Sequence, residues 1–291
     1  AKEVVISTGS IERPLVFANN DRPGIMLASA AKEYMKVYGV LVGKKPLIFT
    51  NNDSAYETAI SLYQKGINIE AVVDNREEID SKLIKETEKN NIKVYKGYTI
   101  INTSGYKRIN KITIMKLSKD GQKVIGPKIS IKCDCLGVSG GWTPAVHLFT
   151  QSGGKLKFRE DDQVFIPNKY PLNQISIGSC NGDFTLDEIL LNITKTLKEF
   201  LNIKKIEYEN LEVRSSFNKS KKNIWLLPSD KMIGKTKPFV DYQNDATAKD
   251  IKLALREGFR SIEHVKRYTT TGMGTDQGKL GNMHALGIIS E

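Results

Sequence analysis

No apolar run in the 291 residues approaches the roughly 18 needed to cross a bilayer, which excludes a membrane-spanning helix on the sequence pattern. The opening "AKEVVISTGS" has no basic stretch followed by an apolar segment, so it does not read as a signal peptide. It reads as a short buried strand that starts without Met, as a piece of a longer chain would. Cysteine is scarce and odd in number. Cys133, Cys135 and Cys180 show no metal-ligand spacing, and Cys133-x-Cys135 puts two side chains on one strand face without being a CxxC redox pair. Reduced thiols in a cytoplasmic protein are expected. The three histidines, His147, His264 and His284, lie too far apart in sequence to suggest a metal site. Acidic residues are in deficit, 33 against 44 basic, for a net charge of +11. The excess is mostly Lys, scattered among Asp, Glu and Asn. A nucleic-acid surface calls for clustered Arg and Lys with aromatics or a known module, and neither is present. Apolar residues at 40%, with only 9 Pro, indicate a folded chain long enough for a substantial core.

The chain alternates between strand and helix patterns. Lys2–Thr8 is a strand, and Leu27–Gly39 reads as a helix after a turn-rich segment containing Pro14 and Pro23. "PLIFTNNDSAYETAISLYQKGINIEAVVD" (Pro46 to Asp74) has the plan of a dinucleotide-binding unit: apolar strand, turn, helix, second strand, acidic residue. Ser54-x-x-Glu57 predicts a capping box for that helix. A charged helix from Glu77 to Asn90 is followed by a strand over Ile92–Ile100 and a hairpin meander turning at Asp120-Gly121. "QISIGSCNGDFTLDEILLNITKTLKEFL" is a strand, a loop, and a helix capped by Thr185 with Glu188, expected to bury Ile189, Leu190, Ile193, Leu197 and Phe200. Residues 202–240 are polar, Lys-rich and aperiodic, a linker pattern. In the C-terminal unit, Thr247-x-x-Asp250 caps a helix, a second begins at Ser261, and Gly272 to Gly281 forms a glycine-punctuated turn.

"VVISTG", the Pro46–Asp74 unit, "LGVSGGWTP" and "ISIGSCNG" before a helix resemble, in that order, the disulfide-reductase flavoproteins with two dinucleotide domains. That resemblance implies an α/β fold. It comprises a truncated FAD-type dinucleotide domain (1–40, resumed at 131–201), an inserted Rossmann-like NAD-type domain (41–130), a linker (202–240) and a small helical unit (241–291). It also implies that the first strand and glycine-rich turn would precede Ala1. Thr50, Asn51 and Asn52 stand where the inserted domain would carry three glycines. Asn accommodates positive φ, so the turn still forms, but a side chain at Asn52 obstructs a pyrophosphate. The inserted domain therefore reads as a degenerate scaffold, with Asp74 left as a ribose-binding candidate.

The segment "FVDYQNDATAKDIKLALREGFRSIEHVKRYTTTGMGTDQGKLGNMHALG" resembles the α subunits of heterotetrameric sarcosine oxidases, as do "IERPLVFANNDRPGIML", "FTNNDSAY" and "VSGGWTPAVHLFTQSGGKL". The resemblance covers essentially the whole chain. It implies an internal portion of an α subunit that binds NAD in its FAD-type domain, with the substrate-oxidising FAD and a covalent FMN elsewhere in the complex. The β, γ and δ subunits would be the partners, and a tetrahydrofolate-binding region would lie outside this chain. It also implies nucleotide contacts at Thr8, Gly9 and Ser10, near the adenosine, and at Gly178 and Ser179, near the diphosphate. Ser179 departs from the Gly-Asp pattern of the family. The same C-terminal unit looks like the iron–sulfur module of opine-oxidase relatives. Asp241, Gln243, Asp276 and Gly281 replace its four cysteines, so no cluster is expected. No acid–base pair or nucleophile constellation stands out, and no catalytic residue is assigned. Two rival readings are a non-catalytic scaffold and a subunit of an opine or amino-acid dehydrogenase.

Overall fold

The computed structural model describes residues 1–171, 173–200 and 223–291, and divides into two units. The larger comprises Glu12–Gly141 and Asn223–Glu291. Its centre is a five-stranded parallel sheet, in the order Ile25–Leu27, Cys135–Ser139, Pro46–Thr50, Val72–Asp74, Val94–Lys96. Pro46–Thr50 is buried on both faces, as its uninterrupted apolar run requires. Ile48 points to one side with Val72, toward Ala55, Tyr56, Ala59 and Leu62 of helix Ser54–Tyr63 and Ile84 of helix Lys82–Lys89. Leu47 and Phe49 point to the other side. There they meet Ile100, Ile112 and Ile114 of a three-stranded antiparallel sheet (Tyr98–Ser104, Lys111–Leu117, Val124–Lys132). Alternate residues of one strand thus bind two different layers.

Local details depart from the expectations in three places. The helix after Thr50 takes no cap from Ser54, which is its first residue. Asn52 Oδ1 instead accepts from the Ser54 amide at 3.1 Å and its hydroxyl at 2.6 Å. The charged helix begins at Lys82 rather than Glu77, because the Ser81 side chain caps it through the Leu83 amide. The strand expected over Ile92–Ile100 is two strands. Val94–Lys96 completes the parallel sheet, and at Gly97 the chain turns to start the antiparallel one.

The C-terminal helices Ala248–Arg256, Ile262–Thr269 and Asn282–Ser290 close around Val240, Ile251, Ala254, Val265 and Ile288. Thr247 and Asp250 form the expected capping box, with the Thr247 amide 2.8 Å from Asp250 Oδ2. Trp225 and Leu227, within the stretch read as a linker, are buried. Trp225 joins the helical core and Leu227 the core between the sheets. The remainder of that stretch, through Lys222, lies outside the described residues.

The smaller unit, Ala1–Ile11 and Trp142–Lys222, holds the parallel pair Val4–Ile6 and Gln174–Ser176 and the antiparallel hairpin Lys155–Arg159/Val164–Lys169. It also contains helices His147–Gln151 and Leu186–Phe200. Val4 and Val5 are exposed, against the buried-strand pattern, since a two-stranded sheet offers them little cover. The same shortage leaves Ile189, Leu190, Ile193, Leu197 and Phe200 half-buried, and no residue of that helix is fully buried. Among the described residues no helix is long and apolar enough to cross a membrane.

All three cysteines are free and buried. Burial pushes the Cys133 thiol up to about 12, with help from Cys135 and Asp134, and Cys135 up to about 11. Neither is a thiolate at neutral pH. A disulfide-exchange reagent should therefore label none of the three within minutes at pH 8, and all three after denaturation. Rapid native labelling would contradict this burial.

Candidate nucleotide-binding sites

The carboxyl ends of parallel strands are where α/β sheets bind nucleotides, at the place where strand order reverses. In the five-stranded sheet that place lies between Pro46–Thr50 and Cys135–Ser139. The chain's own polar groups fill it. Asn52 Nδ2 donates to the Ser139 carbonyl at 3.2 Å and is 3.0 Å from its hydroxyl. The Asn51 amide donates to the same carbonyl at 3.3 Å. Asn51 Nδ2 reaches Asn223 Oδ1 at 3.0 Å, so the segment leading to Trp225 lies over the turn. The groups that would meet a pyrophosphate are thus engaged with one another.

The ribose position is filled as well. Asp74, fully buried, accepts from Tyr56 Oη at 2.9 Å and from the Arg76 amide at 2.9 Å. Arg76 holds Asp74 through Nε at 3.1 Å and Nη2 at 2.7 Å, and Nη2 also reaches Asp53 Oδ1 at 2.8 Å. Burial disfavours the Arg76 charge, but Asp74 and Asp53 together raise its pKa above the ordinary value. One guanidinium neutralises two buried carboxylates, leaving Asp74 no free face for a ribose hydroxyl. Asp53 and Arg76 escape a reading by motif because the ion pair joins residues 23 apart, through the fold rather than the local sequence. The opposite charges flanking the strand ends are the only signal the sequence carries.

The smaller unit is arranged differently. Val4–Ile6 and Gln174–Ser176 run parallel in the register Ile6 to Ser176, which brings Thr8, Gly9 and Ser10 beside Gly178 and Ser179 at one sheet end. A Cβ added at Gly9 would find nothing nearer than Ser179 Oγ, at 3.9 Å. Gly9 and Gly178 have φ of +75° and +72°, a conformation that favours glycine and keeps the backbone bare. Thr8 Oγ1 donates to the Ala145 carbonyl at 2.6 Å, and the Ala145 amide returns a bond to the Gly9 carbonyl at 2.9 Å. Gly178–Asn181 forms a 3-10 turn, after which Thr185 and Glu188 cap helix Leu186–Phe200 reciprocally at 3.3–3.4 Å. Two glycine turns thus leave bare backbone side by side at this sheet end, while the first amides of the helix are taken by Glu188 and Thr185.

The third candidate, the C-terminal unit, is stitched by oxygen. Asp241 Oδ1 accepts from the Gln243 and Asn244 amides at 2.8 and 3.0 Å, and its Oδ2 from the Gly272 amide at 2.7 Å. Burial opposes this charge, but the amides of Gly272, Asn244 and Gln243 hold the carboxyl below its usual range. Gln243 Oε1 accepts from Thr275 Oγ1 at 3.0 Å and the Asp276 amide at 3.3 Å, and Asp276 Oδ1 from the Gly278 amide at 3.0 Å. Gly281 packs against the Val240 carbonyl, where a Cβ would come within 2.6 Å. These donors do not fit an iron–sulfur cluster: iron needs thiolates, and the oxygens here are already taken by loop amides.

Residues 235–291 match the model of the sarcosine oxidase A3 domain. The chain is 34% identical over its full length to sarcosine oxidase subunit alpha of Corynebacterium sp. (strain P-1), covering 30% of that protein. It is also 34% identical to the same subunit of Rhizobium meliloti (strain 1021), covering 28%. Along its whole length the chain matches part of a sarcosine oxidase α subunit. It spans about a third of those relatives. Among solved structures, L-proline dehydrogenase from P. horikoshii matches all of this chain and 53% of its own, with a TM-score of 0.64 at 20% identity. Thioredoxin reductase of T. acidophilum matches 70% of this chain and 65% of its own, at 0.51 and 17%. At these identities the likeness concerns fold alone, an α/β fold built on a parallel Rossmann-like sheet.

Proposed function

We propose that the chain is a portion of the α subunit of a flavin-dependent sarcosine oxidase, contributing NAD binding and subunit contacts rather than hydride chemistry. The match of this whole chain to 28–30% of subunits of that name carries the reading. In such an enzyme sarcosine is oxidised to glycine. Its methyl carbon leaves as formaldehyde or is captured by tetrahydrofolate, and the flavin passes its electrons to oxygen to give hydrogen peroxide. FAD and FMN would reside elsewhere in a cytoplasmic complex with β, γ and δ subunits. The α subunit would hold NAD at Thr8, Gly9, Ser10, Gly178 and Ser179. The division into FAD-type, inserted and small helical domains belongs to this proposal too. A purely structural role for the chain is the second reading, favoured by the filled turn at Asn51 and Asn52.

Chromatography of the supernatant after denaturing the assembled complex tests both. NAD is expected at about one per α subunit. Gly178→Val, which puts a branched side chain where φ is +72°, should lower that occupancy at least tenfold. A complex that assembles and turns over sarcosine without any nucleotide in α would support the structural role instead.

A further inference from the structure

In the larger unit, a cavity of about 210 Å³ lies beside the edge strand Ile25–Leu27, lined also by Tyr242, just after strand Phe239–Asp241, and Leu280, just before helix Asn282–Ser290. Its walls are mainly apolar, with Ile25, Leu27, Val138 and Leu280 among them, and no Lys, Arg or His among the described residues lines it. The polar residues lining it are Asn20, Asp21 and Tyr242. Asp21 makes no ion pair among the described residues, and burial together with the nearby Asp21 charge raises the pKa of the Tyr242 phenol, which stays neutral. Asp21 is exposed, so its carboxylate stands on the solvent side of the cavity.

The aromatic wall is fixed. Buried Asn20 donates to Tyr242 Oη at 2.9 Å and to the Phe239 carbonyl at 2.9 Å, and accepts from the Phe239 amide at 2.7 Å. The Tyr242 ring stacks on Phe239, with centroids 6.4 Å apart and planes 22° apart. A held aromatic ring, a single carboxylate and apolar walls together favour one kind of ligand: a cation that is itself largely apolar. A metal ion would find one carboxylate where it needs several oxygens. An amino acid would bring a carboxylate against Asp21 with no cationic side chain to receive it.

We infer that this cavity binds a small alkylammonium ion without a carboxylate, its charge against Asp21 and its methyl groups against Tyr242, Val138 and Leu280. The inference does not depend on the assignment of NAD to the glycine turns.

The test is ligand-observed NMR on the full chain, following saturation transfer to the methyl singlet of trimethylammonium chloride. Tert-butanol serves as neutral isostere, trimethylglycine as the carboxylate-bearing analogue, and ionic strength is matched throughout. Saturable binding near millimolar is expected for so small a ligand. Both comparison compounds should bind at least tenfold more weakly. Asp21→Asn, at an exposed position, should weaken trimethylammonium about tenfold, and Leu280→Trp, which fills the cavity and leaves Asp21 in place, should abolish it. Equal binding of trimethylammonium and tert-butanol would overturn the inference. So would unchanged binding in either variant, or no saturable transfer up to tens of millimolar.

Discussion

Arg76→Ala will lower the stability of the chain by about 3–5 kcal/mol in urea unfolding, the range for breaking a buried ion pair by removing one partner. The guanidinium is shared between Asp74 at 2.7 Å and Asp53 at 2.8 Å, and both carboxylates are fully buried. Deleting it leaves two negative charges without a counter-ion between the helix Ser54–Tyr63 and the strand Val72–Asp74. A charge-free replacement separates this cause from lost packing. Arg76→Met combined with Asp53→Asn and Asp74→Asn keeps the volume and should recover most of the loss, because no uncompensated charge remains. If Arg76→Ala costs under about 1 kcal/mol, the pair is not the device that closes the inserted sheet.

Acid lability from His284 is the second large effect. The ring is fully buried in the C-terminal helical core, its Nε2 2.9 Å from the Pro14 carbonyl and its face edge-on to Trp225, with centroids 5.7 Å apart. Burial, reinforced by the Arg13 guanidinium, pulls its pKa from 6.5 down to about 3. Between those two values the unfolded chain binds a proton that the folded chain refuses, so stability falls as pH drops. The loss begins near pH 6.5 and grows by about 1.4 kcal/mol per pH unit until the folded form itself titrates. Urea midpoints at pH 7, 6, 5 and 4, read by tryptophan fluorescence, should show this slope. Buried Asp241 adds the same direction of change below about pH 4, because its folded pKa is depressed. In His284→Phe the slope between pH 6 and 5 should be shallower by roughly that 1.4 kcal/mol, whatever the variant's starting stability. An unchanged slope would assign the acid sensitivity to other groups.

The sequence made visible what is decided within a few residues. Pro46–Asp74 shows its strand, helix and strand because the apolar run and the helical stripe Ala55, Ala59, Leu62 are local patterns. The boxes Thr247/Asp250 and Thr185/Glu188 were readable for the same reason, each closing on itself within one turn. Ser54/Glu57 matches that pattern equally well. It fails because Asn52, two residues upstream, offers its carbonyl oxygen to Ser54 first. Arg76 bridges Asp53 and Asp74, and Asn223 meets Asn51 across 172 residues. No local pattern carries such contacts. Trp225 lies in a polar, aperiodic stretch, and its burial depends on helices that follow it in the chain. The obstruction at Asn52 was legible from the residue type alone. Which groups would occupy the vacated ligand positions was not.

The two sheet ends contrast, one bare at Gly9 and Gly178 and one filled by Asn52 and Arg76. Amide hydrogen exchange by mass spectrometry, on the assembled complex depleted of NAD and then resupplied, measures that contrast directly. Added NAD should slow exchange in peptides spanning residues 5–11 and 175–182 and leave those spanning 49–56 and 72–78 unchanged. Slowed exchange at Asn51 and Asn52, with none at Gly9 or Gly178, would contradict it.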